Sequence, residues 1–193
     1  MSFKFANYPN GKIPSELPND FTLTVGPNTD LWEKPPSTHS FSAPILYREI
    51  KLAAFQKARV AVTAQWKELY DQGGLCIIIH KADGARRWVK TGIEFVENAP
   101  HISTVATDRW SDWSLRPMPS MASSRAIIEM AREKDGSLWV YLLEGVKRSP
   151  LREVTWFFEG DGDEKCWVGV YGAKPSETGD IEVSFSHLVI ESS

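Results

Sequence analysis

A chain of 193 residues with 42% hydrophobic and 24% charged residues has the composition of an ordinary globular protein. It is long enough to bury roughly 70% of its unfolded surface, so it needs neither disulfides nor a metal to fold. A formal charge of −3, with no basic run longer than Arg86-Arg87, leaves little to hold a phosphate backbone and argues against a nucleic-acid partner.

No stretch approaches the roughly 18 apolar residues of a membrane span, and Met1–Pro9 lacks the apolar centre of a secretory signal. The expected location is therefore the cytoplasm, with no membrane partner. The first forty residues are rich in Pro, Asn and Gly. They carry one strand, Phe21–Val25, closed by a Gly26-Pro27-Asn28 turn, and a loop at Pro35–Thr38. They are expected to pack on or flank a single sandwich domain spanning residues 1–193. Leu46, Ile50, Ala53 and Ala54 fall at helical spacing, but the β-rich continuation Val60–Thr63 favours strand over Ile45–Ala54 and Phe55–Trp66. Leu75–His80 is a nearly continuous apolar run, as expected of a central strand covered on both faces.

Trp88–Glu97 alternates. Val89, Thr91, Ile93 and Phe95 point one way, and Trp88, Lys90, Gly92 and Glu94 the other, the period of a strand with one face on the core. Arg125–Arg132 and Ser137–Leu143 flank Asp135-Gly136 and form a hairpin. Val154–Phe158 and Cys166–Tyr171 are expected to form another, closed by an acidic glycine loop, with Ile181–Ile190 as the last strand. Cys76 and Cys166 lie inside apolar runs, which makes them buried thiols. Short strands with turn signals every 8–12 residues argue for an all-β fold of two packed antiparallel sheets.

Four segments carry a resemblance: Tyr70-Asp71-Gln72-Gly73-Gly74-Leu75, Trp88-Val89-Lys90-Thr91-Gly92-Ile93-Glu94, Ser103-Thr104-Val105-Ala106-Thr107 and Ser111-Asp112-Trp113-Ser114. Trp139-Val140-Tyr141 and Val168–Pro175 continue the pattern in order. Over roughly residues 30–190 the chain resembles a family of unknown function with the concanavalin-A-like lectin/glucanase fold, and in length and start its fungal branch concerned with regulation of enolase. The resemblance implies a jelly roll and a regulatory role in carbohydrate metabolism. It brings no catalytic residues.

Glu159-Gly160-Asp161-Gly162-Asp163-Glu164 matches the Glu-x-Asp-x-x-Glu spacing of glucanases of this fold, which need two carboxylates about 5–5.5 Å apart. Its glycines favour a turn over a packed strand, and a solvated hairpin tip is the expected reading. His39, His80, His101 and His187 lack ligand spacing, so no metal site or cofactor is expected.

The outward side of one concave sheet is the natural ligand surface. Trp88, Lys90 and Glu94 share the non-core parity of their strand, as do Trp139 and Tyr141 on theirs, and Tyr171 with Trp167. Aromatic faces suit stacking on sugar rings. Glu94, between Ile93 and Phe95, must either reach solvent or find a partner, for which Lys90 is the cheapest. Gln72, Glu94 and Asp112 are expected to line a pocket mouth beside Trp113, although Asp71 and Asp112 also suit turns held by side-chain bonds to backbone amides. The expected function is a non-catalytic protein binding a small carbohydrate-like ligand or a glycolytic protein. An enzyme acting on a glycan or small metabolite at the same face and a pure protein-interaction module are the alternatives.

Overall fold

The computed structural model describes residues 2–9, 11–12, 16–120, 123–160 and 163–193. In chain order the strands are β1 (Lys4–Ala6), β2 (Asp20–Val25), β3 (Leu31–Lys34), β4 (Thr38–Phe41), β5 (Ile45–Lys51), β6 (Phe55–Ala64), β7 (Gln72–His80) and β8 (Arg86–Val96). They continue with β9 (Ala99–Thr107), β10 (Ser111–Pro117), β11 (Arg125–Arg132), β12 (Leu138–Glu144), β13 (Lys147–Val154), β14 (Lys165–Ala173) and β15 (Ile181–Ser192). One 3-10 turn, Leu52–Ala54, separates β5 from β6. The helical spacing around Leu46 and Ile50 thus yields to strand, as the β-branched continuation requires.

Two antiparallel sheets form the sandwich. One has seven strands in the order β1-β5-β14-β7-β8-β9-β10, and the other six in the order β13-β12-β11-β6-β15-β2. The core between them takes the inward parity of each strand, with Leu75, Ile77 and Ile79 of β7 and Val89 and Ile93 of β8 all buried. The fold is the jelly-roll sandwich of the concanavalin-A-like lectins and glucanases.

The third sheet, the β3–β4 hairpin, lies over the outer face of the seven-stranded sheet. Leu31 and Phe41, paired across the hairpin, pack there with Ile45, Tyr47, Cys76, Ile78, Trp88 and Tyr171 in a second, smaller core. This accounts for the apolar run of β7: odd positions meet the opposing sheet and even positions meet the hairpin. The two cysteines are buried free thiols, and burial pushes Cys166 up to about 12.

The expected second hairpin does not form. Val154 ends β13, which pairs with β12 in the six-stranded sheet, while β14 pairs with β5 and β7 in the other. Residues 155–158 are a turn that drops Phe157 into the core. The described residues of the acidic segment therefore stand between strands of different sheets, not at a hairpin tip. Asp161 and Gly162 lie outside the described residues, while exposed Asp163 pairs with Lys51 at 3.0 Å and exposed Glu159 faces Arg87 at 3.7 Å.

Candidate functional site

The hairpin covers only part of the outer face and leaves a cleft of about 600 Å³ beside it. The strand registers dictate its floor. Across the sheet the outward positions fall in rows: Ala173–Gln72–Glu94–His101, Tyr171–Gly74–Gly92–Ser103–Leu115 and Gly169–Cys76–Lys90–Val105–Trp113. Gly74 and Gly92 face each other in the middle row, where a Cβ on either would run into the backbone of the paired strand.

Gln72, Lys90 and Glu94 are 2%, 3% and 5% exposed, and burial of such groups demands partners. Lys90 Nζ donates to Gln72 Oε1 at 2.7 Å and to Asp30 Oδ1 at 3.0 Å. It also sits 5.9 Å from the Trp32 ring and 5.8 Å from the Tyr171 ring, within cation–π range. Tyr171 supports Gln72 through its hydroxyl at 3.4 Å. Glu94 Oε2 accepts from Ser103 Oγ at 2.6 Å and from Trp113 Nε1 at 3.0 Å. Lys90 is thus the partner of Asp30, not of Glu94 as the spacing suggested, because the loop before β3 brings in a carboxylate sixty residues away in sequence.

Burial pushes the Glu94 carboxyl above the ordinary glutamate range, against the opposing pull of Lys90 and of the Ser103 and Trp113 hydrogen bonds. A carboxyl that holds its proton more tightly when folded gives stability that is complete below the unfolded pKa and lost as pH rises through the folded one. Glu94→Gln, which stays neutral, is therefore expected to melt above the wild type at pH 7, by about 2–4 °C for each kcal/mol gained. The gain should vanish below about pH 4. Melting curves of both proteins across this range check it, and a pH-independent difference would count against the assignment.

The walls are aromatic. Trp32 from the hairpin and Tyr70 from the loop before β7 each meet Trp113 edge to face, with ring centroids 6.2 Å apart in both pairs. The hairpin is tied down where Ser111 Oγ accepts from the Glu33 amide at 2.9 Å. Tyr70 has a φ of 67°, rare for a bulky residue. Its amide donates to the Phe95 carbonyl at 2.8 Å. The next residue, Asp71, is buried and accepts from the Lys67 and Glu68 amides at 3.2 and 3.0 Å. Lys174 closes the arrangement, 2.8 Å from Glu68 and 3.3 Å from Asp71. Burial opposes its charge, but the bonds to Glu68 and Asp71 outweigh that and raise its pKa.

Gln72, Lys90, Glu94 and Trp113 converge on this cleft. The others proposed from sequence do not join them at its surface. Trp88 and Tyr171 are 2% and 1% exposed beneath the hairpin, packing residues and not open platforms. Asp112 has the opposite parity on β10 and reaches Arg152 at 3.5 Å, neither lining the pocket nor holding a turn. Trp139 and Tyr141 lie on β12 in the other sheet, stacked at 6.0 Å with Arg148 3.5 Å over Tyr141. Asp30, Trp32, Tyr70 and Ser103 complete the site. The Trp32-Glu33-Lys34 segment before Pro35-Pro36 was the available signal for an aromatic on a tight hairpin.

A family described as protein of unknown function (DUF1349) matches residues 7–193. The chain belongs to this family. An uncharacterized protein of Emericella nidulans is 52% identical over 183 residues, covering 93% of this chain and 91% of that protein. Regulation of enolase protein 1 of Saccharomyces cerevisiae is 31% identical over 166 residues, covering 86% of this chain and 78% of that protein. Among solved structures, a functionally unknown protein from Saccharomyces cerevisiae superposes with a TM-score of 0.80 at 24% identity, over 100% of this chain and 97% of its own. A pseudo β-1,3-glucanase of Mycobacterium tuberculosis shares the fold at a TM-score of 0.54 and 8% identity, over 99% and 91%.

Proposed function

We propose that this DUF1349 protein is a non-catalytic binder of a small carbohydrate-like ligand, acting in the cytoplasm as a regulator of sugar metabolism. The observation that carries the binding reading is the cleft itself. A polar floor of Gln72, Lys90 and Glu94, almost fully buried yet lining an open cavity, is walled by three aromatic rings. Rings supply apolar faces for the flat sides of a sugar, and the floor supplies orienting hydrogen bonds. The regulatory part rests on the 31% identity to the yeast enolase-regulation protein.

The test is a thermal-shift screen of the full chain against neutral, amino and acidic sugars. A ligand at a hundred times its Kd contributes about 2.7 kcal/mol, a rise of about 5–11 °C for a chain of this size. Trp113→Ala should lose most of that rise while still folding. If no sugar shifts the melting point, the reading falls, and co-purification of a glycolytic protein would redirect it to a protein partner.

A second reading, an enzyme acting on a small sugar-like molecule, is favoured by one observation: the raised Glu94 carboxyl and the Lys90-paired Asp30 carboxylate share one cleft. Two carboxyl groups in unlike surroundings are common equipment for acid–base work. Turnover of a ligand from the screen, abolished in Glu94→Gln, would promote this reading over the first.

A further inference from the structure

The floor is unequally satisfied. Its donors are largely engaged. Lys90 donates to Gln72 and Asp30, Gln72 Nε2 to the Tyr70 carbonyl and Asp30, and Ser103 Oγ and Trp113 Nε1 to Glu94. Its acceptors are not. Glu94, nine-tenths buried, has both hydrogen bonds on Oε2, and Oε1 takes none among the described residues. Asp30 likewise carries its bonds on Oδ1, from Lys90, Gln72 and the Leu31 amide, and leaves Oδ2. Glu33 pairs with His39 through Oε2 alone.

Three carboxyl groups (Asp30, Glu33 and Glu94) line the cleft against two ammonium groups. Lys90 is one, with two of its three N–H groups on Gln72 and Asp30; Lys34 is the other and is exposed at the rim. The walls add to this bias, since indole and phenol faces present negative potential to a cation. An anionic ligand would meet mostly acceptors and ring faces, with Lys34 and one remaining Lys90 N–H to balance it. A ligand rich in donors would meet complementary groups on every side.

Resting on the carbohydrate reading above, we propose that the cleft selects a sugar bearing an ammonium group, an amino sugar, over neutral sugars and against phosphorylated or carboxylated ones. The ammonium sits against Glu94 Oε1, between the rings of Tyr70 and Trp113, and the ring hydroxyls donate to Asp30 Oδ2 and Glu33 Oε1. A hydrogen bond to a charged group exceeds a neutral one by about 1 kcal/mol, or about five-fold in affinity.

Titration calorimetry of the full chain at neutral pH tests this. The probes are hexose, hexosamine, hexose 6-phosphate and hexuronate in the gluco, galacto and manno series. The expected result, in at least one series, is a hexosamine binding about five-fold or more tightly than its parent hexose, with the phosphate and uronate weaker than either. Glu94→Gln should collapse the amine preference, so that hexosamine and parent hexose bind alike. Neutral hexoses binding with no amine advantage, or a phosphate or uronate binding best, would overturn the selectivity and leave the carbohydrate site standing. Absence of binding by any of the twelve would overturn both.

Discussion

Replacing Lys174 with Met is expected to lower the melting temperature by about 6–12 °C. The reasoning starts from burial. Lys174 and Asp71 are each 2% exposed, and their 3.3 Å contact is the only side-chain cation on that carboxylate among the described residues. Removing one partner of a buried pair costs about 3–5 kcal/mol, because the other charge is left in a poor solvent. The Lys67 and Glu68 amides still hold Asp71 Oδ2, which places the cost at the lower end, about 3 kcal/mol, with each kcal/mol worth about 2–4 °C here.

The double replacement Lys174→Met with Asp71→Asn removes both charges and should recover part of the loss, as coupled neighbours do. Calorimetric scans of the three proteins decide it. A single-variant shift under about 2 °C would mean that the pair does not hold the loop. The consequence reaches the cleft, since the same loop carries Tyr70 in its left-handed conformation beside Trp113.

How much of this was legible in the sequence depends on what each signal encodes. Parity along a strand is a local property, so the alternation of β8 placed Lys90 and Glu94 on one face correctly. Parity does not say which sheet a strand joins. Trp139 and Tyr141 also share a face, but it belongs to the six-stranded sheet, on the far side of the molecule from the cleft. Asp112 next to Trp113 necessarily points the other way on β10, so adjacency in sequence is separation in space.

Some elements carry no apolar signal at all. β13, Lys147-Arg-Ser-Pro-Leu-Arg-Glu-Val154, is an edge strand blunted by charges and a proline, the usual protection of an exposed sheet edge. The neighbouring Trp156-Phe157-Phe158 is apolar but forms a turn, because a short apolar run does not distinguish a strand from a loop that drops one ring into the core. Asp30 was beyond reach for another reason. Its role comes from a contact across sixty residues, and nothing local to it announces a buried lysine on the opposite strand.

Gly74→Ala, in the β7–β8 ladder opposite Gly92, is expected to cost about 3 kcal/mol and to lower the melting temperature by about 6–12 °C. A Cβ at Gly74 would lie 2.0 Å from the Thr91 carbonyl oxygen and 2.6 Å from the Gly92 Cα. Both are backbone atoms of the paired strand, so no rotamer change relieves the clash and β7 and β8 must separate where the ladder is most buried. Gly92 faces the mirror-image problem, with the Gly73 oxygen at 2.0 Å. Gly26→Ala is the control: a Cβ there meets only the Asp180 carboxylate at 3.7 Å, and its melting temperature should stay within about 2 °C of the wild type, as surface changes do. If Gly74→Ala melts with Gly26→Ala, the close approach at the two glycines does not hold β7 and β8 together. If it melts as expected, that approach fixes the spacing of the neighbouring rows, Gln72 with Glu94 and Cys76 with Lys90, which carry the polar floor of the cleft.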